Sequence, residues 1–392
     1  MRAIKRILGG LLLAAIVIGL SGCGASRQVE NQAYILVMGL DLSEDGELVI
    51  TALSPKISGG GGDEGGSSGS GSESGDYLHL SVRGESYERA LERLNWAVPR
   101  TLNLSQLKLI VFSQELVEQV DCGDLFREIA KTELLFTAAH VVVSAGKAQE
   151  FIENLQPTVG TRLSTDIEAS IEHYVNYGIA PDSRLATLYY QTESVYSDPL
   201  AIYAMLSDEE SSGEDGQNGA QPASALSGPA QQVSQKLDSD IKTRYLGAAV
   251  FCDGRYCGLL DGGETVLANL LTDSLNMFWY TLEDECIKLN TVGKPKIKVD
   301  TSADPVKIEI SIRLSVSNQD HRIPEEKLRG SLKSDIEALI EHAQRMGAEP
   351  FGFAEVAARN FLTLDQWQDF DWREKFRRAD VEIKLRFEQL NT

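Results

Sequence analysis

Residues 306–316 alternate without a break. Val306, Ile308, Ile310, Ile312, Leu314 and Val316 fall on one face, with Lys307, Glu309, Ser311, Arg313 and Ser315 on the other. A period of two predicts a strand buried on one side. The pattern returns near the end, where Val381, Ile383, Leu385 and Phe387 alternate with Glu382, Lys384, Arg386 and Glu388. Between them Leu332, Ile336, Leu339, Ile340 and Ala343 recur at helical spacing, and Gly347 is placed to stop that helix. Residues 264–282 also read as helical. Residues 245–260 read as two strands joined at Asp253-Gly254, a favoured hairpin turn pair. Cys252 then falls opposite Arg255 and Val250 opposite Cys257. Cys252 and Cys257 share a face diagonally, either bonded or as buried free thiols.

The first half mixes the two periods. Ala33 to Leu40 reads as a buried strand followed by the turn signal Asp45-Gly46, and 47–53 and 77–82 are strand-like. Tyr87, Leu91, Leu94 and Val98 mark a helix over 86–98 that Pro99 ends. The apolar runs 107–112 and 138–143 predict central strands, with a helix over 125–135 between them. A further helix covers 166–177, starting from a Ser164 or Thr165 cap. Strands interleaved with helices point to a mixed α/β (α+β) protein with sheets packed on helices. No period of about 20–50 residues repeats, so a solenoid is excluded.

Two low-complexity stretches divide the chain. Residues 58–75, SGGGGDEGGSSGSGSESG, cannot bury a core and read as an elongated loop between two strands. Residues 207–240 are acidic and nearly free of large apolar side chains, and form the best boundary. The expected division is a signal peptide over 1–22, an N-terminal α/β region over 23–206, a linker over 207–240 and a C-terminal domain over 241–392.

The N-terminus bears on location. Arg2, Lys5 and Arg6 precede an uncharged apolar run from Ile7 to Leu20, the pattern of a secretory signal. It ends in Leu20-Ser21-Gly22-Cys23, which matches the bacterial lipobox. Small residues there admit the peptidase, and the Cys23 thiol accepts diacylglycerol. The competing reading is an uncleaved signal anchor. No other run reaches about 18 apolar residues, so the sequence predicts an extracytoplasmic protein on a lipid tether.

Composition adds exclusions. With 37 Lys and Arg against 58 Asp and Glu over 392 residues, the formal charge is −21. Such acidity argues against nucleic acid and against electrostatic attraction to anionic lipid. Five cysteines are too few for a disulfide framework.

Catalytic patterns fail on context. Gly65-Gly66-Ser67-Ser68-Gly69 fits G-x-S-x-G, and Gly60 to Gly65 fits G-x-G-x-x-G. Both motifs need a strand before and a helix after, and the Gly/Ser tract forms neither. His79, His140, His173, His321 and His342 form no pair at metal-ligand spacing, and His140 reads as a core residue. Acidic pairs are too common in this chain to be informative. No catalytic residue, metal or cofactor is expected beyond the lipid on Cys23. The aromatic cluster Phe361, Trp367, Phe370, Trp372 and Phe376 has two readings. It closes the core of the last domain, or Trp367, Phe370 and Trp372 form a partner surface.

Four blocks, in order, resemble the Ger(x)C family of spore germination lipoproteins, the C subunits of nutrient germinant receptors. They are Cys23 with the following GASRQVENQAYILVMGLD; Arg93 to Lys147, containing LKLIVFSQELVEQ; Gly247 to Leu259, GAAVFCDGRYCGL; and Asp335 to Phe387, with Phe351-Gly352-Phe353, Trp367 and Trp372. The resemblance implies a mixed α/β protein of three domains without enzymatic activity. It also implies anchoring on the outer face of the spore inner membrane and assembly with two polytopic subunits, A and B, with any nutrient contact indirect. An alternative is a lipoprotein that itself binds a small nutrient solute and passes it to a membrane partner. An envelope hydrolase has only the two glycine motifs in its favour.

Overall fold

The computed structural model describes residues 31–56, 77–132, 135, 137–157, 162–194, 196–206, 243–283, 285–317 and 324–388. The signal stretch 1–22, Cys23, the insert 58–75 and the acidic stretch 207–240 lie outside the described residues.

The chain runs through β1 (Gln32–Tyr34), β2 (Val37–Leu42), β3 (Leu48–Pro55), β4 (Tyr77–Gly84), α1 (Tyr87–Ala97), β5 (Thr101–Asn103) and β6 (Leu109–Ser113). It continues with α2 (Gln114–Gln119), α3 (Cys122–Ala130), β7 (His140–Ser144), α4 (Ala148–Glu153), α5 (Leu163–Asn176), α6 (Leu185–Glu193) and β8 (Leu200–Leu206). β9 (Thr243–Cys252) and β10 (Arg255–Asp261) follow the acidic stretch. β1 and β5 pair in parallel as a separate small ribbon.

An eight-stranded sheet has the order β10-β9-β8-β7-β6-β2-β3-β4. Its centre, β8-β7-β6-β2, is parallel, and an antiparallel hairpin closes each end. Every residue of β6, LIVFS, is buried. This explains the unbroken apolar run, because helices cover a parallel strand on both faces. Ile110 and Phe112 point into a core shared with Tyr87 of α1, Leu116 of α2 and Phe126 of α3. Leu109 and Val111 point the other way, into a core with Phe151 of α4 and Ile167 of α5. β3 and β4 pair with Pro55 opposite Tyr77, so the insert 58–75 connects neighbouring strands.

The remainder is α7 (Gly262–Leu271), β11 (Met277–Leu282), β12 (Glu285–Thr291), β13 (Lys296–Asp300), β14 (Lys307–Val316), α8 (Glu325–Met346), α9 (Phe353–Ala358), α10 (Leu364–Phe370), α11 (Trp372–Arg377) and β15 (Asp380–Phe387). β14 is the spine of a five-stranded sheet, pairing with β12, β13 and, in parallel, β15. Its apolar face packs with Leu328, Leu332, Ile336, Leu339 and Ile340 of α8. The same core takes in Leu200 of β8 and Val250 of β9, so it reaches the larger sheet.

Five sequence expectations need correction. The single strand expected from Ala33 to Leu40 is broken at Ile35-Leu36, so that β1 pairs with β5 in the small ribbon while β2 enters the large sheet. Residues 264–282 are not one helix: α7 ends at Leu271, Asp273 turns the chain at φ 58°, and β11 begins at Met277. The helical spacing stops where Phe278, Tyr280 and Leu282 start to alternate. The helix expected over 125–135 is displaced toward the N-terminus and runs Cys122–Ala130, because the Asp121 side chain caps it by accepting from the Gly123 and Asp124 amides. α5 begins at Leu163, with Arg162 at the cap and no side-chain bond, rather than at Ser164 or Thr165. Val250 lies opposite Gly258, not Cys257, because a bulge falls between Tyr256 and Gly258.

Candidate functional site

The site is built where three distant segments meet the tip of the β9–β10 hairpin. Asp253 and Gly254 adopt φ 50° and 77°, the left-handed pair that a tight hairpin turn requires. The tip docks on the start of α3, where the Gly123 amide donates to the Gly254 carbonyl at 2.9 Å. A Cβ on Gly254 would stand 2.9 Å from Gly123 Cα, so the approach depends on glycine. Behind the turn, Cys252 and Cys257 are joined by a disulfide with Cα atoms 5.9 Å apart. Cys257 occupies the bulge, where an extra residue re-aims the side chain.

On its other side the tip meets α11. Arg373 Nη2 donates to Asp253 Oδ1 at 2.8 Å and to Asp198 Oδ1 at 3.0 Å, while Nη1 reaches the Gly347 carbonyl at 3.3 Å. Asp198 is 5 % exposed and accepts from the Glu349 amide at 2.7 Å. Its own amide donates back to the Glu349 carbonyl at 3.1 Å. The equally buried Glu349 carboxyl accepts from the amides of Phe351, Phe353 and Ala354, each at 3.0 Å, and so holds the start of α9. Burial pushes Glu349 up to about 8, against those amides, with Asp198 adding to the rise. Burial also raises Asp198, opposed by Arg373.

This junction borders a cleft of about 390 Å³, walled by Tyr196, Asp198, Asp253, Trp367, Trp372 and Arg373. Trp367 stacks on Trp372 with ring centres 5.9 Å apart, and Tyr196 tilts against Trp367 at 5.8 Å. Trp367 and Trp372 are 5 % and 7 % exposed, and Phe370 is half-buried. Their rings are core and cleft wall, so burial removes the two tryptophans from an outward-facing partner surface. The indole Nε1 of Trp372 has no hydrogen-bond partner among the described residues.

A third buried carboxylate explains the run Gly39-Leu40-Asp41 at the end of the first block. Asp41 accepts from the Ala148 and Gln149 amides at 2.7 and 2.9 Å, capping α4. Burial raises its pKa against those bonds. A Cβ on Gly39 would lie 2.6 Å from Ile152 Cδ1, so glycine lets α4 lie flat on β2. His140 is half-buried beside Ser183, and His342 Nδ1 lies 2.7 Å from Glu264, which raises its pKa. Among the described residues no group of three His, Cys, Asp or Glu is arranged to hold a metal ion. No described helix is long and apolar enough to cross a membrane. Asp198, Glu349 and Arg373 were not singled out by the sequence, because lone charged residues carry no spacing signal in so acidic a chain.

Two family models match. One described as the spore germination protein N-terminal domain covers residues 25–204, and one described as spore germination B3/GerAC-like, C-terminal, covers 246–389. Putative spore germination protein YfkR of Bacillus subtilis (strain 168) is 20 % identical over a 400-residue alignment, spanning 97 % of this chain and 95 % of that protein. Spore germination protein KC of the same organism is 28 % identical over 158 residues, 39 % of this chain and 38 % of that one. The crystal structure of the GerBC protein shares the fold, with a TM-score of 0.50 at 12 % identity, covering 90 % of this chain and 97 % of that chain. With matches to both halves over most of its length, the chain belongs to the Ger(x)C family of spore germination proteins.

Proposed function

We propose that this chain is the lipid-anchored, non-enzymatic C subunit of a nutrient germinant receptor, needed for germination through assembly with two polytopic membrane subunits, A and B. The observation that carries the reading is the match of both Ger(x)C halves across one continuous fold. The positive N-terminus, apolar run and lipobox support covalent diacylglycerol on Cys23 and a place on the outer face of the spore inner membrane. The buried carboxylates Asp41, Asp198 and Glu349 each hold backbone amides and so serve the fold rather than a reaction. Participation in switching requires that the subunit bind the two receptor states with different affinity.

A mild-detergent pull-down of the tagged full-length protein from spore membranes, read by mass spectrometry, tests the assembly. Two polytopic proteins recovered in stable amounts are expected, and recovery of the lipoprotein alone would overturn it. Cys23→Ala is expected to release the protein from the membrane fraction and to weaken germination.

A further inference from the structure

The loop that leads into α10 holds two leucines in water. Leu362 is 93 % exposed and Leu364 53 %, the former the most exposed large apolar side chain among the described residues. Local bonds fix them there. The Thr363 hydroxyl caps α10 by accepting from the Gln366 amide at 3.3 Å, and the Gln366 side chain accepts from the Leu362 amide at 3.1 Å. Leu362 thus stands just before the cap, where an apolar residue ordinarily packs on the fourth helical residue as a staple. That residue is Trp367, and Phe361 and Tyr196 cover it instead, with ring centres 5.6 and 5.8 Å away. The staple is left unmade, and the leucines stand out from a loop anchored to the core by Phe361.

Topology places this loop at the end of the molecule where the chain enters. β2, β6, β7 and β8 are parallel, and so all start at one end of the larger sheet. β9 runs back to that end, since Val250 lies opposite Leu200, and its hairpin tip meets Arg373 of α11. Tyr196, four residues before β8, packs on Trp367. β1, at the start of the described chain, leads into β2 at the same end. The first described residue, Asn31, follows Cys23 by eight residues, a span of at most about 28 Å when fully extended. From β2 to β9 the sheet measures four strand spacings, about 19 Å. A lipid on Cys23 keeps a bilayer within reach of this end.

We propose that Leu362 and Leu364 insert into the bilayer to which the chain is tethered, as a second contact beside the acyl chains. The inference rests on the anchoring of Cys23 proposed above. Charge beside the leucines does not select an anionic surface, because Arg359 is already paired with Glu355 and Asp365 adds a carboxylate. Apolar transfer drives the contact, so a zwitterionic bilayer suffices.

The test uses the full-length lipidated chain in phosphatidylcholine vesicles, with and without bromine on the acyl chains. Leu362→Trp adds a fluorescent reporter at a position almost wholly outside the core. The emission gained over wild type should be quenched by brominated lipid and shielded from iodide in the water. Leu364→Gln in the same background should lower the ratio of inserted to free loop roughly tenfold, the weight of one leucine returned to water. Flotation of the vesicles keeps the two readings apart. A chain that floats while its added emission is quenched by iodide and not by bromine overturns insertion and leaves the anchor standing. A chain that does not float has no tether and overturns both. Insertion undiminished by Leu364→Gln would overturn the assignment to these leucines.

Discussion

Asp198 and Arg373 stand 175 residues apart in sequence, yet the guanidinium donates to the carboxylate at 3.0 Å in the floor of the cleft. The Asp198 side chain is 7 % exposed and that of Arg373 34 %, so the pair sits at the edge of the interior. Removing the cation leaves a buried carboxylate opposite Glu349 without its main compensation. Arg373→Met is expected to cost about 2 kcal/mol, the figure for breaking a buried pair discounted for the partly wet guanidinium. Urea unfolding of the folded variant checks this, and an unchanged midpoint would count against it.

Glu349 predicts a pH dependence. Its folded pKa is raised from 4.5 to about 8, so between those values the folded state holds a proton that the unfolded state has released. The unfolded state binds fewer protons there, and stability therefore falls as pH rises through that window. The limiting slope is about 1.4 kcal/mol per pH unit for one proton. His342 shifts in the same direction, its folded pKa being raised by Glu264, so it too loses its contribution as pH rises past 6.5. The diagnostic is the difference between wild type and Glu349→Gln: the variant should show a flatter decline from pH 5 to 8, and parallel curves would refute the assignment.

Asp41 holds α4 against β2 through two backbone amides. Asp41→Ala removes a helix cap and strands both donors in a buried site, an expected loss of about 2 kcal/mol. Hydrogen exchange should show the Ala148 and Gln149 amides opening first. Equal protection in both proteins would exclude the capping role.

Gly254 is predicted to resist substitution more than its neighbour. Gly254→Ala places a methyl group against Gly123 at a positive φ, an expected cost of about 2 kcal/mol. Asp253→Asn keeps a residue tolerant of the same backbone region and loses only a charge to Arg373. Thermal unfolding should rank the alanine variant well below the asparagine one.

The Cys252–Cys257 bridge closes a loop of sequence separation 5. Loop-closure entropy for so short a ring is about 2 kcal/mol, so Cys257→Ser should fold while melting earlier. Alkylation before and after reduction checks the bond: two further thiols should become reactive only after reduction.

Strong periodicity made particular elements legible. The alternation from Val306 to Val316 and from Val381 to Phe387 has one physical solution, and Gly347 ends α8 at φ 76° as a left-handed cap. The segment 277–291 was obscured because the helical spacing of α7 runs through a turn at Asp273 into the β11–β12 hairpin with no glycine or proline to announce it. β8 is a short apolar run, LAIYAML, that periodicity does not separate from a helix, although it is central to the larger sheet. The cleft was illegible for a different reason. Tyr196, Asp198, Asp253, Glu349 and Trp372 come from four separate segments, and only the folded chain brings them to one wall.

β9 and β10 complete a sheet whose other strands all precede the acidic stretch, and this has a consequence for the order of synthesis. As the chain emerges, β8 is finished well before its antiparallel partner β9, with residues 207–242 still to be made. During that interval the β8 edge is an unsatisfied template open to any passing strand. An acidic stretch with few large apolar side chains is what emerges next, and its net negative charge opposes the approach of another copy until β9 closes the edge.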